Sequence, residues 1–254
     1  MKLLRFQGNG GPSYGTLDDD GTVSQLLGDP FGDFDLSATV GEVSSLHLLP
    51  PVVPSKVIAV GLNYAAHAKE AGMELPAFPV LFFKPPTAVV GPGDAIVLPK
   101  ISDDVEHECE LGVVIGKIAR NVTESEALDY VYGLTCGNDV SARDWQRKES
   151  QWVRAKSFDT FLPLGPHVVT DLDPSSLKIS TRVNGEIRQN SNTSDMIFSV
   201  PFLISDISKV MTLHPGDVII TGTPEGVAPI LDGDTVEIEI EGIGKLSNPV
   251  IGEV

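Results

Sequence analysis

Glu106-His107-Glu108-Cys109-Glu110-Leu111-Gly112-Val113-Val114-Ile115 is the stretch on which the reading of this chain turns. In a strand, residues two apart share a face, so Glu108 and Glu110 project together. The run from Leu111 to Ile118 reads as a buried strand, apolar on both sides through Ile115. Two adjacent carboxylates repel unless they are exposed, protonated or bound to a cation. The chain carries its own control: Glu237, Glu239 and Glu241 also alternate, but with Val236, Ile238 and Ile240 between them. That is an amphipathic strand with its acids in water. At 106–110 the intervening residues are His107 and Cys109, a poor apolar face. An acidic pair leading into a buried strand calls for a compensating cation. Oxygen ligands with few imidazoles suit Mg²⁺, Mn²⁺ or Ca²⁺. On pattern alone a solvated strand face competes with this reading. Asp139 follows an apolar strand-like stretch and is the candidate third ligand, although Asp at such a place also serves as a turn or cap.

The surrounding elements are short. Val57 to Val60 reads as a buried strand after the stiff Pro50, Pro51 and Pro54 connector, so a soft boundary falls near residue 53. Residues 1–53 read as a small β-rich unit, with turn clusters at 8–11 and 18–21, and residues 54–254 as the main domain. Asn63 offers an N-cap and Gly72 a stop for a short helix between them. Thr123 with Glu126 predicts a capping box and a helix start, and Ser141 predicts the cap of a helix over 142–149. Asn184-Gly185 between alternating runs predicts a hairpin. Pro201 suits a first helical turn, followed by Leu203, Ile204, Ile207, Val210 and Met211 at helical spacing. The tail returns to strands. The pattern is α+β and β-rich. Long helices do not alternate with strands, which disfavours a doubly wound parallel sheet.

Composition narrows the function. Of 254 residues, 18 are basic and 35 acidic, for a net charge of −17. Such a surface repels nucleic acid and anionic membrane, so no partner of either kind is expected. An anionic substrate must be captured by a local positive site. With two cysteines there is no disulfide framework, and free thiols in a cytoplasmic protein are the simpler reading. The N-terminal MKLLRFQGNG lacks the apolar core of a signal peptide and no apolar stretch approaches about 20 residues, so neither a leader nor a membrane span is expected. Twenty-five glycines and nineteen prolines without a period mean many tight turns rather than a helix bundle.

Three further candidates carry chemistry. His67 and Glu70 stand at i and i+3, one face of a helix, where the carboxylate would orient the imidazole as a base; a surface pair reads the same way. Lys156 is a candidate cation, against the usual solvated lysine. Thr221-Gly222-Thr223-Pro224-Glu225-Gly226 is a Gly-rich turn able to hold a carboxylate, or a plain strand exit.

Seven segments in chain order resemble the fumarylacetoacetate hydrolase family. They lie at 61–70, 83–94, 107–116, 138–144, 151–161, 183–186 and 221–227. The resemblance runs from Lys56 to the C-terminus and implies a mixed β-sandwich roll of curled, mostly antiparallel sheets, working as a homodimer. It implies Mg²⁺ or Mn²⁺ on Glu108, Glu110 and Asp139, a catalytic His67–Glu70 pair on a lid, and an active-site Lys156. It places the substrate carboxylate on Thr223, beside Gly222, with Arg143 as a further substrate contact. The substrate it implies is a small 2-oxo or β-diketo acid. The expected reaction is C–C cleavage, by acylpyruvate hydrolysis or oxaloacetate decarboxylation. An isomerase or tautomerase of the 2-hydroxyhepta-2,4-diene-1,7-dioate or oxaloacetate type is the alternative, and a non-catalytic metal-carboxylate binder a third reading.

Overall fold

The computed structural model describes residues 1–254. Its strands are β1 (Lys2–Gly8), β2 (Gly11–Leu17), β3 (Thr22–Gly28), β4 (Phe34–Glu42), β5 (Leu48–Leu49), β6 (Val57–Val60), β7 (Leu81–Lys84), β8 (Val89–Val90), β9 (Ile96–Leu98) and β10 (Val105–Glu106). They continue as β11 (Cys109–Ile115), β12 (Val131–Asn138), β13 (Ser141–Ala142), β14 (Leu162–Val169), β15 (Lys178–Val183), β16 (Glu186–Asn192), β17 (Val218–Ile220), β18 (Thr235–Ile240) and β19 (Gly244–Gly252). The α-helices are short: α1 (Ala65–Glu70), α2 (Arg143–Lys148), α3 (Val153–Lys156) and α4 (Val200–Val210).

One large sheet runs β4-β3-β2-β1-β14-β12-β11-β17-β6-β7, so the N-terminal meander joins the main sheet through the β1–β14 pair. A smaller sheet runs β16-β15-β18-β19-β9. Most pairs are antiparallel; β6–β17, β8–β14 and β9–β19 are parallel, which makes the architecture mixed. The two sheets pack face to face. Leu111, Val113, Ile115 and Leu134 of the large sheet share one core with Ile179, Ile238, Ile240 and Leu246 of the small one. Val114 turns the other way, into a second core with Val57, Leu164, Val168 and Val218. Strand β11 is therefore covered on both faces, as its sequence predicts. Each fully buried aliphatic side chain of this kind contributes roughly 1.5–3 kcal/mol.

The hairpin at Asn184-Gly185 forms, with φ of 52° and 81°, the left-handed pair that a tight two-residue turn requires. Helix α4 starts as read: Ser199 accepts the Phe202 N–H, Pro201 lies in the first turn, and Leu203, Ile204 and Ile207 are buried. Four expectations need correction. Strand β11 ends at Ile115 rather than 118, and Ile118 is exposed. Asn63 does not cap α1; its side chain bonds to the Thr221 and Phe198 backbones instead. Ser141 does not cap α2; its hydroxyl donates to the Asp139 carbonyl. Residues 124–130 form a 3₁₀ helix, and Thr123 bonds the Glu126 side chain rather than a backbone N–H. In the last three cases another polar partner outcompetes the cap that local sequence offers.

Candidate active site

Sheet order brings the candidate residues to one edge. Strand β11 runs antiparallel to both β12 and β17, and β17 runs parallel to β6. The start of β11 therefore lies beside the ends of β12, β17 and β6. The first supplies Glu108 and Glu110, the second Asp139, the third the 221–226 turn, and the fourth leads into α1 with His67 and Glu70. The register pairs Cys109 with Asn138, so Asp139 falls next to Glu108, and the Asp139 N–H donates to the Glu108 carbonyl at 3.0 Å.

Glu108, Glu110 and Asp139 are all buried, with ligand oxygens within 4.8 Å of one another. The solvated-face reading fails for this pair, as does the turn-residue reading of Asp139. Three cations surround the trio. Lys156 donates to Glu108 Oε2 and Asp139 Oδ2, each at 2.8 Å. Lys84 pairs with Asp139 Oδ1 and donates to the Val140 carbonyl at 3.1 Å. Arg143 reaches Glu108 Oε1 at 2.6 Å and Glu106 Oε2 at 2.6 Å.

The electrostatics are lopsided. Burial opposes the charge on Glu108, but Lys156 and then Arg143 outweigh it and hold the carboxyl well below its usual range. Glu110 has a backbone donor, the Gly222 N–H at 2.7 Å. Burial, Asp139 and Glu108 together push its carboxyl well up. Burial also opposes the Lys156 ammonium, which Asp139 and Glu108 hold above the ordinary lysine value. At Lys84 burial wins, and the ammonium is driven down despite Asp139. Three buried carboxylates, each facing the other two, are a hard-oxygen donor set that fits a divalent cation.

His67 Nδ1 lies 3.1 Å from Glu70 Oε2 on α1, and the imidazole is buried. The Glu70 carboxylate also accepts the Gly226 N–H at 3.1 Å, which ties α1 to the 221–226 turn. Asn63 joins the exits of β6 and β17 by donating to the Thr221 carbonyl at 2.8 Å. Gly222, at φ 91°, presses on Asn63: a Cβ there would sit 2.7 Å from that residue's Cβ, so this position needs glycine. Thr223 is buried, and its hydroxyl accepts a bond from Gln189 at 2.8 Å.

Every candidate from the sequence thus lies in or against one cluster. Two neighbours escaped notice. Lys84 ends an apolar run in a loop-rich stretch of sequence, yet its side chain is fully enclosed. Gln189 sits on an otherwise largely exposed hairpin strand, and nothing local distinguishes it.

The chain is similar to known proteins along its whole length. Residues 56–251 match the family model described as fumarylacetoacetate (FAA) hydrolase C-terminal, and residues 1–51 match one described as Rv2993c-like, N-terminal. The chain is 53% identical over 249 residues to an uncharacterized protein of Archaeoglobus fulgidus, covering 98% of this chain and 96% of that one. It is 47% identical over 220 residues to the mitochondrial oxaloacetate tautomerase Fahd2a of Rattus norvegicus, covering 82% and 70%. Among solved structures, 5-carboxymethyl-2-hydroxymuconate delta-isomerase from Mycobacterium smegmatis superposes with a TM-score of 0.93 at 48% identity over the whole of both chains. With the match to the family model spanning most of its length, this chain belongs to the fumarylacetoacetate hydrolase family.

Proposed function

We propose that this protein is a Mg²⁺- or Mn²⁺-dependent enzyme that forms and reprotonates the enolate of a small 2-oxo acid, as a tautomerase or isomerase. The observation that carries the proposal is the meeting of Glu108, Glu110 and Asp139 with Lys156 and the His67–Glu70 pair at one sheet edge. A divalent ion held by the three carboxylates would supply Lewis-acid stabilisation of negative charge on the substrate. Lys156, buried and cationic, adds positive charge beside the developing oxyanion. Arg143 and Lys84 balance the carboxylates, so the site can admit an anion despite the chain's net charge of −17. His67, oriented through Nδ1 by Glu70, leaves Nε2 to take a proton from the substrate carbon and return it. Thr223 offers its hydroxyl to the substrate carboxylate. The isomerase and tautomerase names of relatives near 48% identity support this choice over C–C cleavage.

Acylpyruvate hydrolysis or oxaloacetate decarboxylation is the second reading. The same His67–Glu70 pair at 3.1 Å favours hydrolysis, because an oriented imidazole is also what activates an attacking water.

The test is a parallel assay of Mg²⁺- or Mn²⁺-loaded protein on oxaloacetate and acetylpyruvate, following enol–keto conversion and pyruvate release, with an EDTA control. EDTA-sensitive enol–keto conversion without cleavage is expected. Pyruvate release as the faster process would move the assignment to C–C cleavage. Saturable oxalate binding with no turnover on any 2-oxo dicarboxylate would leave a binding protein.

We also propose a homodimer. Edge strand β7 exposes Phe83, and with Val80, Phe82, Pro85, Trp152 and Val153 it lines an open groove of about 570 Å³. Exposed Phe78 adds to the apolar surface of this part of the chain. Apolar surface of this kind supports an interface between copies.

A further inference from the structure

Gln189 makes five hydrogen bonds inside the protein, and their partners fix which way its amide points. The Cys109 backbone N–H, at 2.9 Å, can only donate, so the atom facing it is Oε1. The Pro224 carbonyl, at 2.8 Å, can only accept, so the atom facing it is Nε2. Oε1 also accepts from the Thr181 hydroxyl at 2.9 Å and lies 3.2 Å from His107 Nδ1. The second Nε2 hydrogen is directed at Thr223 Oγ1, at 2.8 Å. Gln189 is fully buried, so each of these bonds is shielded from water.

Two consequences follow. Cys109 lies between Glu108 and Glu110, so Gln189, 80 positions from Cys109 and 34 from Thr223, ties the carboxylate-bearing strand to the 221–226 turn. Further, a hydroxyl that receives a bond from an amide N–H keeps its own proton for a different acceptor. Thr223 is thereby held as a donor.

We infer that Gln189 is a positioning residue that directs the Thr223 hydroxyl proton toward the substrate carboxylate, so that it governs affinity for the anion more than the rate of proton transfer. The inference rests on the reading that Thr223 contacts the substrate carboxylate. With Gln189 replaced by a carboxylate the polarity reverses: Thr223 donates to residue 189 and has no proton left for the substrate.

The test is a double-mutant cycle on Gln189→Glu and Thr223→Val, read by calorimetric titration of Mg²⁺-loaded protein with oxalate, and by KM and kcat on oxaloacetate. Gln189→Met, uncharged and close in size, replaces Gln189→Glu where the buried charge prevents folding. Each single variant should weaken oxalate binding by roughly 10- to 100-fold, the range for one hydrogen bond to a charged group. KM should rise with kcat within about threefold, and the double variant should bind no worse than Thr223→Val alone. Unchanged oxalate affinity in a folded Gln189 variant overturns the inference, as does full additivity with Thr223→Val. Unchanged affinity in Thr223→Val overturns the underlying contact instead, which separates the two failures.

Discussion

Replacing Glu110 by Gln should have opposite effects on the metal-free and metal-loaded protein. The Glu110 oxygens lie within 4.8 Å of those of both Glu108 and Asp139. At that separation, with an effective dielectric near 20, each like-charge pair costs about 3.5 kcal/mol. Burial adds to this cost and Lys156 reduces it, and proton uptake at pH 7 by a carboxyl of ordinary value 4.5 caps the penalty at Glu110 at about 3.5 kcal/mol. The amide loses the charge from the Gly222 N–H bond, a weakening of about 1.5 kcal/mol. The balance is a stabilisation of about 2 kcal/mol, or about 4–8 °C in Tm for a chain of this size. Metal should then do the reverse. A cation at 100 times its Kd stabilises the wild type by about 2.7 kcal/mol, and the variant, lacking one anionic ligand, should gain little. The assay is thermal unfolding in EDTA and in a Mg²⁺ or Mn²⁺ series at fixed ionic strength. A variant that melts below the wild type in EDTA, or that keeps the full metal-dependent shift, would refute the charge-crowding account of the trio.

Three other outcomes are expected. His67→Ala should lower turnover by about 10²- to 10⁴-fold with oxalate affinity unchanged, measured by steady-state kinetics and calorimetry; retained turnover would remove His67 as the base. Asp217 is buried with Lys56, Ser55 and the His214 N–H, which together outweigh burial and hold its carboxyl below the usual aspartate value. A depressed carboxyl stabilises the fold above the unfolded-state value and loses that contribution as pH falls through the folded-state value. Asp217→Asn should therefore cost about 1–3 kcal/mol at pH 7 in denaturant unfolding, and the gap to wild type should close below about pH 4; a gap independent of pH would contradict this. Sedimentation should give twice the 27.1 kDa chain mass, and Phe83→Asp should return it to the single chain; a wild-type monomer would end the proposal for β7 as an interface.

Where the sequence was informative, it was because a local rule broke. The apolar alternation that makes Val236–Ile240 an ordinary strand fails at His107 and Cys109, and that failure pointed to the carboxylates. The strand β11, the hairpin at Asn184-Gly185 and helix α4 were legible because turn chemistry, capping and periodicity agree there. The misreadings share a different cause. Asn63 and Ser141 are good caps by type, but tertiary neighbours separated by up to 158 residues in sequence claim the Asn63 side chain, and the Asp139 carbonyl claims that of Ser141. Lys84 and Gln189 were invisible because their roles depend on partners 55 and 34 positions away, Asp139 and Thr223. A lysine at a strand end and a glutamine on a hairpin carry no local mark of burial.

The burial of Lys84 and Lys156, with Arg143 half-buried beside them, bears on the kinetics of encounter. The two lysines lie inside the protein and Arg143 is largely covered, all three paired with carboxylates, while the chain as a whole carries an excess of acid. An approaching dianion meets repulsion at long range and attraction only at contact. Added salt screens the first over about 8–10 Å and leaves the second nearly intact. Substrate association should therefore accelerate with ionic strength, the reverse of an enzyme that draws its substrate in by a field of opposite sign.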